Sequence, residues 1–354
     1  MSPPVPLSSK INLPTKVLII RNDKLGDFTL SLPSFALLKK YLPETEITAL
    51  VPNYTRPLVE ACPYIDEILI DPGPNGSKVE QKQLLKQIKS ANFDVALTLY
   101  STTRIGMFLK RARIPVRIAP ATKLAQIFYN HRITQRRSKS LKPEFEYNLD
   151  LARFLLELAN ISNTQTPAPP YLEFPVDEIK QLRESFCQKH ALSTEKNLIF
   201  IHPGSGGSAN NLLLEQYAKL ALGIAKNPSN QIIISAGPTE IDIAEQLSAL
   251  LTNTAHSVYR SEQGLTMFAK HIGFADCFIS GSTGPLHVAA ALNRPTAGFY
   301  PNRRSATSLR WQTINDEDRR LAFSPPEGAE QEDMSTVDID RAVRETQQLL
   351  LRLY

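Results

Sequence analysis

Short apolar runs alternate with longer amphipathic stretches along the first half of the chain. The stretches at 28–41 and 79–91 have the pattern of helices. The apolar runs around them are short enough to be buried strands; they are KVLII (16–20), ITALV (47–51), EILI (67–70) and DVALTLY (94–100). Strands that alternate with helices predict an α/β structure built on a doubly wound parallel sheet.

The same alternation begins again after a proline-rich, polar segment at 160–177, which has the composition of a linker. Three further strand-like runs each end in Gly, Ser or Thr residues before a helical stretch, and a fourth run follows. They are NLIFIHPG (197–204), QIIISAGP (231–238), DCFISGSTGP (276–285) and RPTAGFYP (294–301). We therefore predict two Rossmann-like domains, residues 1–175 and 176–330, that face each other across a ligand-binding cleft.

The C-terminal segment has a separate pattern. A polar loop at 324–335 precedes VDIDRAVRETQQLLLRLY (337–354), which is amphipathic with a helical period. We expect residues 331–354 to form a helix that packs back on the N-terminal domain.

The composition is that of a globular protein large enough for two cores, with 354 residues, 42% hydrophobic and 21% charged. No apolar run approaches the roughly 20 residues needed to cross a bilayer. The first residues lack the apolar centre of a secretory signal, so we expect a cytoplasmic protein. Cys62, Cys187 and Cys277 are far apart and no spacing matches a zinc site, so we expect neither disulfides nor a bound metal.

Positive charge is concentrated in the first half of the chain. The formal net charge is +5, yet residues 1–175 contain 23 Lys and Arg against 15 Asp and Glu. Residues 104–142 contain 11 Lys and Arg and no acidic residue. Such a run is either a solvated face or a surface that meets an anionic partner.

The aromatic residues of the run, Phe108, Phe128 and Tyr129, could stack on bases or insert at a membrane interface. Because the run carries no recognisable nucleic-acid motif, a membrane surface or a phosphorylated glycolipid is favoured over nucleic acid as the partner. The candidate residues that would face the acceptor or the membrane are Lys110, Arg111, Arg113, Arg132, Arg136 and Arg137.

The stretch GSTGPLHVAAAL (281–292) places small residues between a strand and a helix. Thr283 and Gly284 stand at the start of that helix, where free N–H groups and the helix dipole favour an anion such as a diphosphate. His287 follows one helical turn later, so its imidazole can face the same anion as a donor or as a counter-charge. The alternative is a structural histidine on an apolar helix.

A second turn of this kind is HPGSGGSANN (202–211). Gly204, Gly206 and Gly207 would let the backbone approach a ligand closely, and Ser205 offers a hydroxyl, although a flexible loop has the same composition. In SAGPTE (235–240), Glu240 is either an acceptor for ribose hydroxyls or a charge at a helix N-terminus. Two such turns in one domain favour a nucleotide diphosphate as the ligand.

A single carboxylate, Asp27, follows a glycine in RNDKLGDFTLSLPSF (21–35) at the start of a predicted helix. It could cap that helix, or it could act as a general base. The helix dipole would keep this carboxylate ionised, which a base requires.

These motifs, in this order, resemble those of the ADP-heptose:lipopolysaccharide heptosyltransferase family, glycosyltransferase family 9. The resemblance rests on KVLIIRNDKLGDFTLSLPSFALLKKYLP, IHPGSGG, SAGPTE and, most specifically, STGPLHVAAALNRPTAGFYP. It implies a GT-B fold and inverting, metal-independent transfer of heptose from ADP-L-glycero-β-D-manno-heptose to the growing lipopolysaccharide core. It also implies a cytoplasmic enzyme, peripheral on the inner membrane, with no cofactor.

By position, the resemblance makes Asp27 the catalytic base. It places the other matching residues at the donor: Ser205, Glu240, Thr283, Gly284 and His287. Two positions depart from the family pattern. Asn210 and Asn211 stand where members often carry a lysine near the donor phosphates, and Ser282 stands where an acid often precedes the (S/T)GP motif. These departures bear on which donor is used.

Two other functions remain open on the same fold. A nucleotide-sugar epimerase would need further acids and bases at the cleft, which the sequence does not single out. A non-catalytic binder of nucleotide or glycolipid would explain the departures, but Asp27 and His287 are both present.

Overall fold

A computed structural model describes residues 10–122, 124–206, 210–252, 254–330 and 332–354. Lys123 of the basic run and Gly207 of the second turn lie outside the described residues. The chain divides into two compact units, Met1–Tyr171 and Leu172–Tyr354, with the division a few residues before the expected boundary at 175.

The N-terminal unit is built on a six-stranded parallel sheet in the order β3-β2-β1-β4-β5-β6. Its strands are β1 (Lys16–Ile20), β2 (Glu46–Pro52), β3 (Glu67–Asp71), β4 (Val95–Thr98), β5 (Val116–Pro120) and β6 (His131–Ile133). Its helices are α1 (Leu25–Thr29), α2 (Leu32–Tyr41), α3 (Arg56–Glu60), α4 (Lys78–Ser90), α5 (Thr103–Arg111) and α6 (Glu144–Leu158). Leu18 and Ile20 of β1 are fully buried, so β1 lies at the centre of this core.

The C-terminal unit repeats this plan in the strand order β12-β11-β10-β7-β8-β9, again with parallel neighbours. Its strands are β7 (Asn197–His202), β8 (Asn230–Ala236), β9 (His256–Arg260), β10 (Cys277–Gly281), β11 (Thr296–Phe299) and β12 (Arg320–Phe323). Its helices are α7 (Val176–Lys189), α8 (Leu214–Ala225), α9 (Ile241–Ala249), α10 (Gly264–Gly273), α11 (Gly284–Ala291) and α12 (Ile339–Leu353). The two doubly wound parallel sheets confirm the expected α/β class.

Each sheet has two strands more than the apolar runs predict. The additional strands are β5, β6, β9 and β12, of which β6, β9 and β12 are edge strands. The residues of β6, β9 and β12 are mostly half-buried or exposed, so these three strands do not need the continuous apolar run that marks a central strand. The predicted helix at 28–41 is also divided into α1 and α2, because Pro33 near the start of α2 has no N–H to continue the helix.

The C-terminal helix packs on its own unit, which corrects the expectation that it returns to the N-terminal domain. Ala342 and Leu350 of α12 are buried in the core that α8 also lines. Gly223 of α8 makes the close approach possible, because a Cβ there would lie 2.5 Å from Val343 Cγ2. Gln347 Nε2 donates to the Gly223 carbonyl at 3.1 Å. Among the described residues, no helix is long and apolar enough to span a membrane.

We expect Gly223→Val to lower the free energy of unfolding by about 2 kcal/mol, because the added side chain overpacks the contact between α8 and α12. In a Val343→Ala background the same substitution should cost clearly less, since the clashing methyl groups are gone. Urea unfolding followed by circular dichroism measures both values. An equal cost in the two backgrounds would contradict this account of the helix contact.

Candidate active site

Asp27 lies in the first turn of α1, directly after the central strand β1. The N-cap residue of α1 is Lys24, and no side chain caps this helix by a hydrogen bond. The Asp27 carboxylate instead accepts a hydrogen bond from Nη2 of Arg21 through its Oδ1. A capping role is therefore not what fixes this carboxylate in place.

Arg21 is buried, with only 2% of its surface exposed, and its guanidinium has four hydrogen-bonded partners. Nε donates to Asp23 Oδ1 at 2.8 Å, and Nη2 donates to Asp27. Nη1 donates to Asn148 Oδ1 at 3.0 Å and to Glu144 Oε1 at 3.2 Å. Glu144 and Asn148 are four residues apart on α6, so one face of that helix supplies both acceptors.

A second arginine, Arg137, completes this group. Its Nη1 donates to Glu144 Oε1 at 2.6 Å and its Nε to Gln135 Oε1 at 2.9 Å. The Arg137 side chain is 18% exposed. The structure therefore places this residue of the basic run beside the Arg21 cluster, which we define as Arg21, Asp23, Asp27, Arg137, Glu144 and Asn148.

Burial controls the protonation of the two aspartates in the cluster. It raises the pKa of Asp23 to about 6, although the Arg21 guanidinium opposes this. Burial also raises the pKa of Asp27, again against the effect of Arg21, and the charge of Glu144 adds to the increase. Loss of water thus opposes the effect that the helix dipole was expected to have on this carboxylate. A carboxylate with a raised pKa is a stronger base once ionised.

The sequence analysis did not identify Arg21, Asp23, Glu144 or Asn148 as functional candidates. A local signal existed for the first two, because charged residues that directly follow a central parallel strand lie at the edge where such sheets bind ligands. No local signal exists for Glu144 and Asn148, which are more than 120 residues away from Arg21.

In the C-terminal unit, Glu240 connects the two turns that follow β7 and β8. Its carboxylate accepts from the backbone N–H groups of Gly206 at 2.9 Å and Gly237 at 3.2 Å. His202 Nε2 lies 3.3 Å from Glu240 Oε2, and the hydrogen bond from this histidine holds the pKa of Glu240 below its usual range. A Cβ on Gly204 would lie 2.2 Å from the Glu240 carboxyl carbon, so Gly204 makes room for this side chain.

The turn after β7 therefore has an internal anchor. Gly206 has a φ of +52°, the left-handed region that glycine tolerates, and Ser205 is half-buried beside it. His202 is buried, and its Nδ1 lies 3.0 Å from the Ser235 carbonyl oxygen of β8. Glu240 thus fixes the shape of both small-residue turns, and its side chain is 13% exposed.

The N-terminus of α11 has no side-chain cap, although Thr283 occupies the N-cap position. The Thr283 hydroxyl is 3.0 Å from Ser280 Oγ and is buried. Gly284 and Pro285 form the first turn, and half-buried Ser282 precedes them. This helix start suits an anion, because its dipole and unpaired N–H groups point in the same direction.

His287 is buried in α11, and its Nδ1 has no hydrogen-bond partner among the described residues. Burial lowers the pKa of His287 to about 4. The imidazole is therefore neutral at physiological pH in this structure. Of the two roles expected from the sequence, hydrogen-bond donor is favoured over counter-charge.

Asn210 and Asn211, at the position of the missing lysine, have different surroundings. Asn210 is exposed, whereas Asn211 Nδ2 donates to the Pro203 carbonyl at 2.7 Å. Asn211 Oδ1 also bonds to the Tyr217 hydroxyl, which accepts from the backbone N–H of Gly281 at 3.1 Å. Asn211 therefore holds the turn that follows β7 against the end of β10.

The basic run divides into two groups. Three side chains bind groups of the protein itself. Arg104 binds Asp71, Arg117 binds backbone carbonyls, and Lys142 binds Asp150. The described basic side chains of the run that remain exposed are Lys110, Arg111, Arg113, Arg132, Arg136 and Lys139.

The expected membrane-facing aromatics are only partly available. Phe108 and Tyr129 are buried, and Phe128 is half-buried. In their place, Leu124 and Ile127 of the 3₁₀ turn Leu124–Phe128 are 81% and 68% exposed. Two exposed apolar side chains, Leu124 and Ile127, therefore lie within the basic run, close in sequence to the aromatic residues that were expected to face the membrane.

In the described part of the chain, no three His, Cys, Asp or Glu side chains group together as metal ligands would.

Comparison with known proteins identifies the family. A sequence model of glycosyltransferase family 9 (heptosyltransferase) matches residues 82–336. A Haemophilus influenzae protein named "Putative glycosyltransferase" is 45% identical over 331 residues, which are 93% of this chain and 95% of that protein. Lipooligosaccharide heptosyltransferase 2 of Haemophilus ducreyi is 28% identical over 357 residues, covering 95% of this chain and 99% of that protein.

The fold agrees with this assignment. The solved structure of the E. coli ADP-heptose lps heptosyltransferase II matches with a TM-score of 0.75 at 19% identity, over 95% of this chain and 99% of that one. The match confirms the fold expected from the motifs. The chain therefore belongs to glycosyltransferase family 9, the heptosyltransferase family.

Proposed function

We propose that this glycosyltransferase moves heptose or a related sugar from a nucleotide diphosphate sugar, with ADP-heptose as the donor, to a lipopolysaccharide-type glycolipid. The transfer is inverting and independent of a metal. The observation that carries the proposal is the Asp27 carboxylate, whose side chain is only 15% exposed, which Arg21 holds at the end of β1 and whose pKa is raised. The proposal assigns the base to the N-terminal unit and the donor to the C-terminal unit.

In this mechanism, Asp27 accepts the proton of the acceptor hydroxyl while the hydroxyl oxygen attacks the anomeric carbon. The bond between that carbon and the diphosphate oxygen breaks, and the nucleoside diphosphate leaves. Attack from the side opposite to the leaving group inverts the configuration at the anomeric carbon. Arg21 holds Oδ1 of Asp27, so Oδ2 is the oxygen that takes the proton.

The leaving diphosphate gains negative charge, which the start of α11 can stabilise. The uncapped N–H of Gly284 and the helix dipole favour the anion, and neutral His287 can donate one hydrogen bond. Gly204, Ser205 and Gly206 form the neighbouring turn, and Glu240 fixes its shape. These groups provide charge stabilisation without a metal ion.

The choice of donor and acceptor rests on the named relatives. The Haemophilus ducreyi protein is named a lipooligosaccharide heptosyltransferase, and the E. coli structure is titled an ADP-heptose enzyme. Asn210 and Asn211 offer no positive charge to the donor phosphates, so hydrogen bonds from α11 have to do more of this work here. A panel of nucleotide sugars, tested for thermal stabilisation of the protein, compares ADP-heptose with other donors.

The exposed basic residues fit an anionic acceptor at the cytoplasmic face of the inner membrane. Lys110, Arg111, Arg113, Arg132 and Arg136 would attract phosphorylated headgroups, and Leu124 and Ile127 could enter the interface. This peripheral contact would bring the enzyme to a membrane-embedded glycolipid.

We expect Asp27→Asn to reduce transfer by about a thousandfold, because the amide cannot accept the proton, while donor affinity stays within about twofold. Product formation by mass spectrometry and donor binding by calorimetry measure the two effects. Glu60→Gln removes a surface carboxylate of the same unit and serves as the matched control. Turnover that survives Asp27→Asn would remove Asp27 as the base. Conversion of the donor without any acceptor would indicate an epimerase.

His287→Ala should weaken binding of ADP-heptose by about tenfold or more, the usual effect of losing one hydrogen bond to a charged group. Because the pKa of His287 is about 4, the imidazole is already neutral above pH 5.5. The affinity of the wild type should therefore stay constant from pH 5.5 to 8. Affinity that falls steeply as pH rises through this range would show that His287 acts as a cation.

Binding to vesicles that contain anionic phospholipid should weaken when salt is raised, because salt screens the contacts of exposed cations. The variant Lys110→Gln/Arg111→Gln should reduce binding and its salt dependence, and Leu124→Ser/Ile127→Ser should reduce binding at all salt concentrations. Lys219→Gln, in the C-terminal unit, is the control. Vesicle binding that is insensitive to salt would contradict the membrane contact.

A further inference from the structure

Two aspartates share one edge of the Arg21 guanidinium. Nε donates to Asp23 and Nη2 donates to Asp27, and these two nitrogens form the edge that a single carboxylate usually occupies with two parallel bonds. The charges of Asp23 and Asp27 therefore lie side by side, and the charge of Asp27 raises the pKa of Asp23. Because repulsion between two like charges is mutual, an ionised Asp23 also makes it harder for Asp27 to ionise.

The charges of the Arg21 cluster explain what a second aspartate contributes. With all groups ionised, the carboxylates of Asp23, Asp27 and Glu144 outnumber the guanidiniums of Arg21 and Arg137 by one. When Asp27 takes up a proton, the cluster becomes neutral. If Asp23 were absent, the same step would leave a net positive charge in a largely buried place, which is unfavourable.

The other polar groups around Asp23 and Asp27 are solvent-exposed or uncharged. Lys24, on the same turn, is exposed, and its charge lowers the pKa of Asp27 by less than burial raises it. Tyr54, from the neighbouring 3₁₀ turn Asn53–Thr55, donates its hydroxyl to the backbone carbonyl of Asp23, and its pKa is raised, so it stays neutral. Asn148 is an uncharged acceptor for Arg21.

We propose that Asp23 is a positioning residue that keeps Asp27 basic, because it occupies half of the Arg21 edge and offsets its positive charge. This inference rests on the proposed function. In the step it serves, the acceptor O–H bond breaks as the new bond to the anomeric carbon forms. The bond from that carbon to the diphosphate breaks, and the proton goes to Oδ2 of Asp27. Asp23 itself touches neither substrate nor proton.

The first test is the pH dependence of kcat/KM for wild type, Asp23→Asn and Asp23→Glu. In Asp23→Asn, the acid limb should move down by about one pH unit, because loss of a like charge favours the ionised Asp27. The plateau rate should fall about tenfold, because Asp27 becomes a weaker base. Asp23→Glu should restore the limb and most of the rate. A limb that stays in place in Asp23→Asn would overturn the inference.

A second measurement follows the same coupling without any reaction. Because the folded pKa of Asp23 is about 6 and its unfolded value is near 4, the folded wild type binds the extra proton between these values. Its stability contribution is therefore present at low pH and is lost as pH rises through this window. Asp23→Asn has no carboxyl group there and does not lose this stability. The urea midpoint of the variant minus that of the wild type should therefore increase between pH 4.5 and pH 7.

These two measurements separate failure of this inference from failure of the proposed function. If no donor and acceptor pair gives product, the proposed function fails. The urea midpoints, measured also in an Asp27→Asn background where the increase with pH should be smaller, still decide whether Asp23 and Asp27 are coupled. A midpoint difference that is constant with pH would overturn the inference, whatever the activity. If transfer is found and depends on Asp27 but not on Asp23, the base stands and the role of Asp23 does not.

Discussion

An almost fully buried guanidinium, that of Arg21, connects the turn after the central strand of the N-terminal unit to α6. Arg21 follows the central strand, and a buried cation there requires acceptors on every side. The chain supplies them from the turn that follows β1 and from α6, which is far away in the sequence. Asn148 adds a bond from α6 to the Leu30 carbonyl at 3.2 Å, beside the same turn. Asp27 is thus held in place as one of the acceptors that the buried Arg21 guanidinium requires.

The C-terminal unit uses the opposite charge for a similar purpose. Glu240 collects hydrogen bonds from two turns and from His202, so one anion holds the loops after β7 and β8 together. Its own interactions satisfy much of its bonding capacity, which makes it a support for the turns as well as a candidate ligand residue. The start of α11 lacks such a side chain, which agrees with its proposed role as the site of the donor diphosphate.

The sequence was sufficient for the fold class, the central strands and the small-residue turns, because buried parallel strands are continuous apolar runs. It was not sufficient for the edge strands β6, β9 and β12, whose half-buried residues give a weak pattern. The charge run at 104–142 did not distinguish Arg137, which pairs with Glu144, from Arg136, which is exposed. The sequence predicted that Gly204 lets a ligand come close to the backbone, but the space beside this glycine is filled by the side chain of Glu240. Such pairings depend on tertiary contacts that no local pattern carries.

The contact between α8 and α12 has a consequence for the order in which the chain acquires its structure during synthesis. Every element of the N-terminal unit has been made by residue 158, so that unit can fold while later residues are still being added. The C-terminal unit differs, because the face of α8 at Gly223 stays uncovered until the residues up to 353 of α12 have left the ribosome. During that interval the apolar face of α8 that α12 later covers is exposed to solvent.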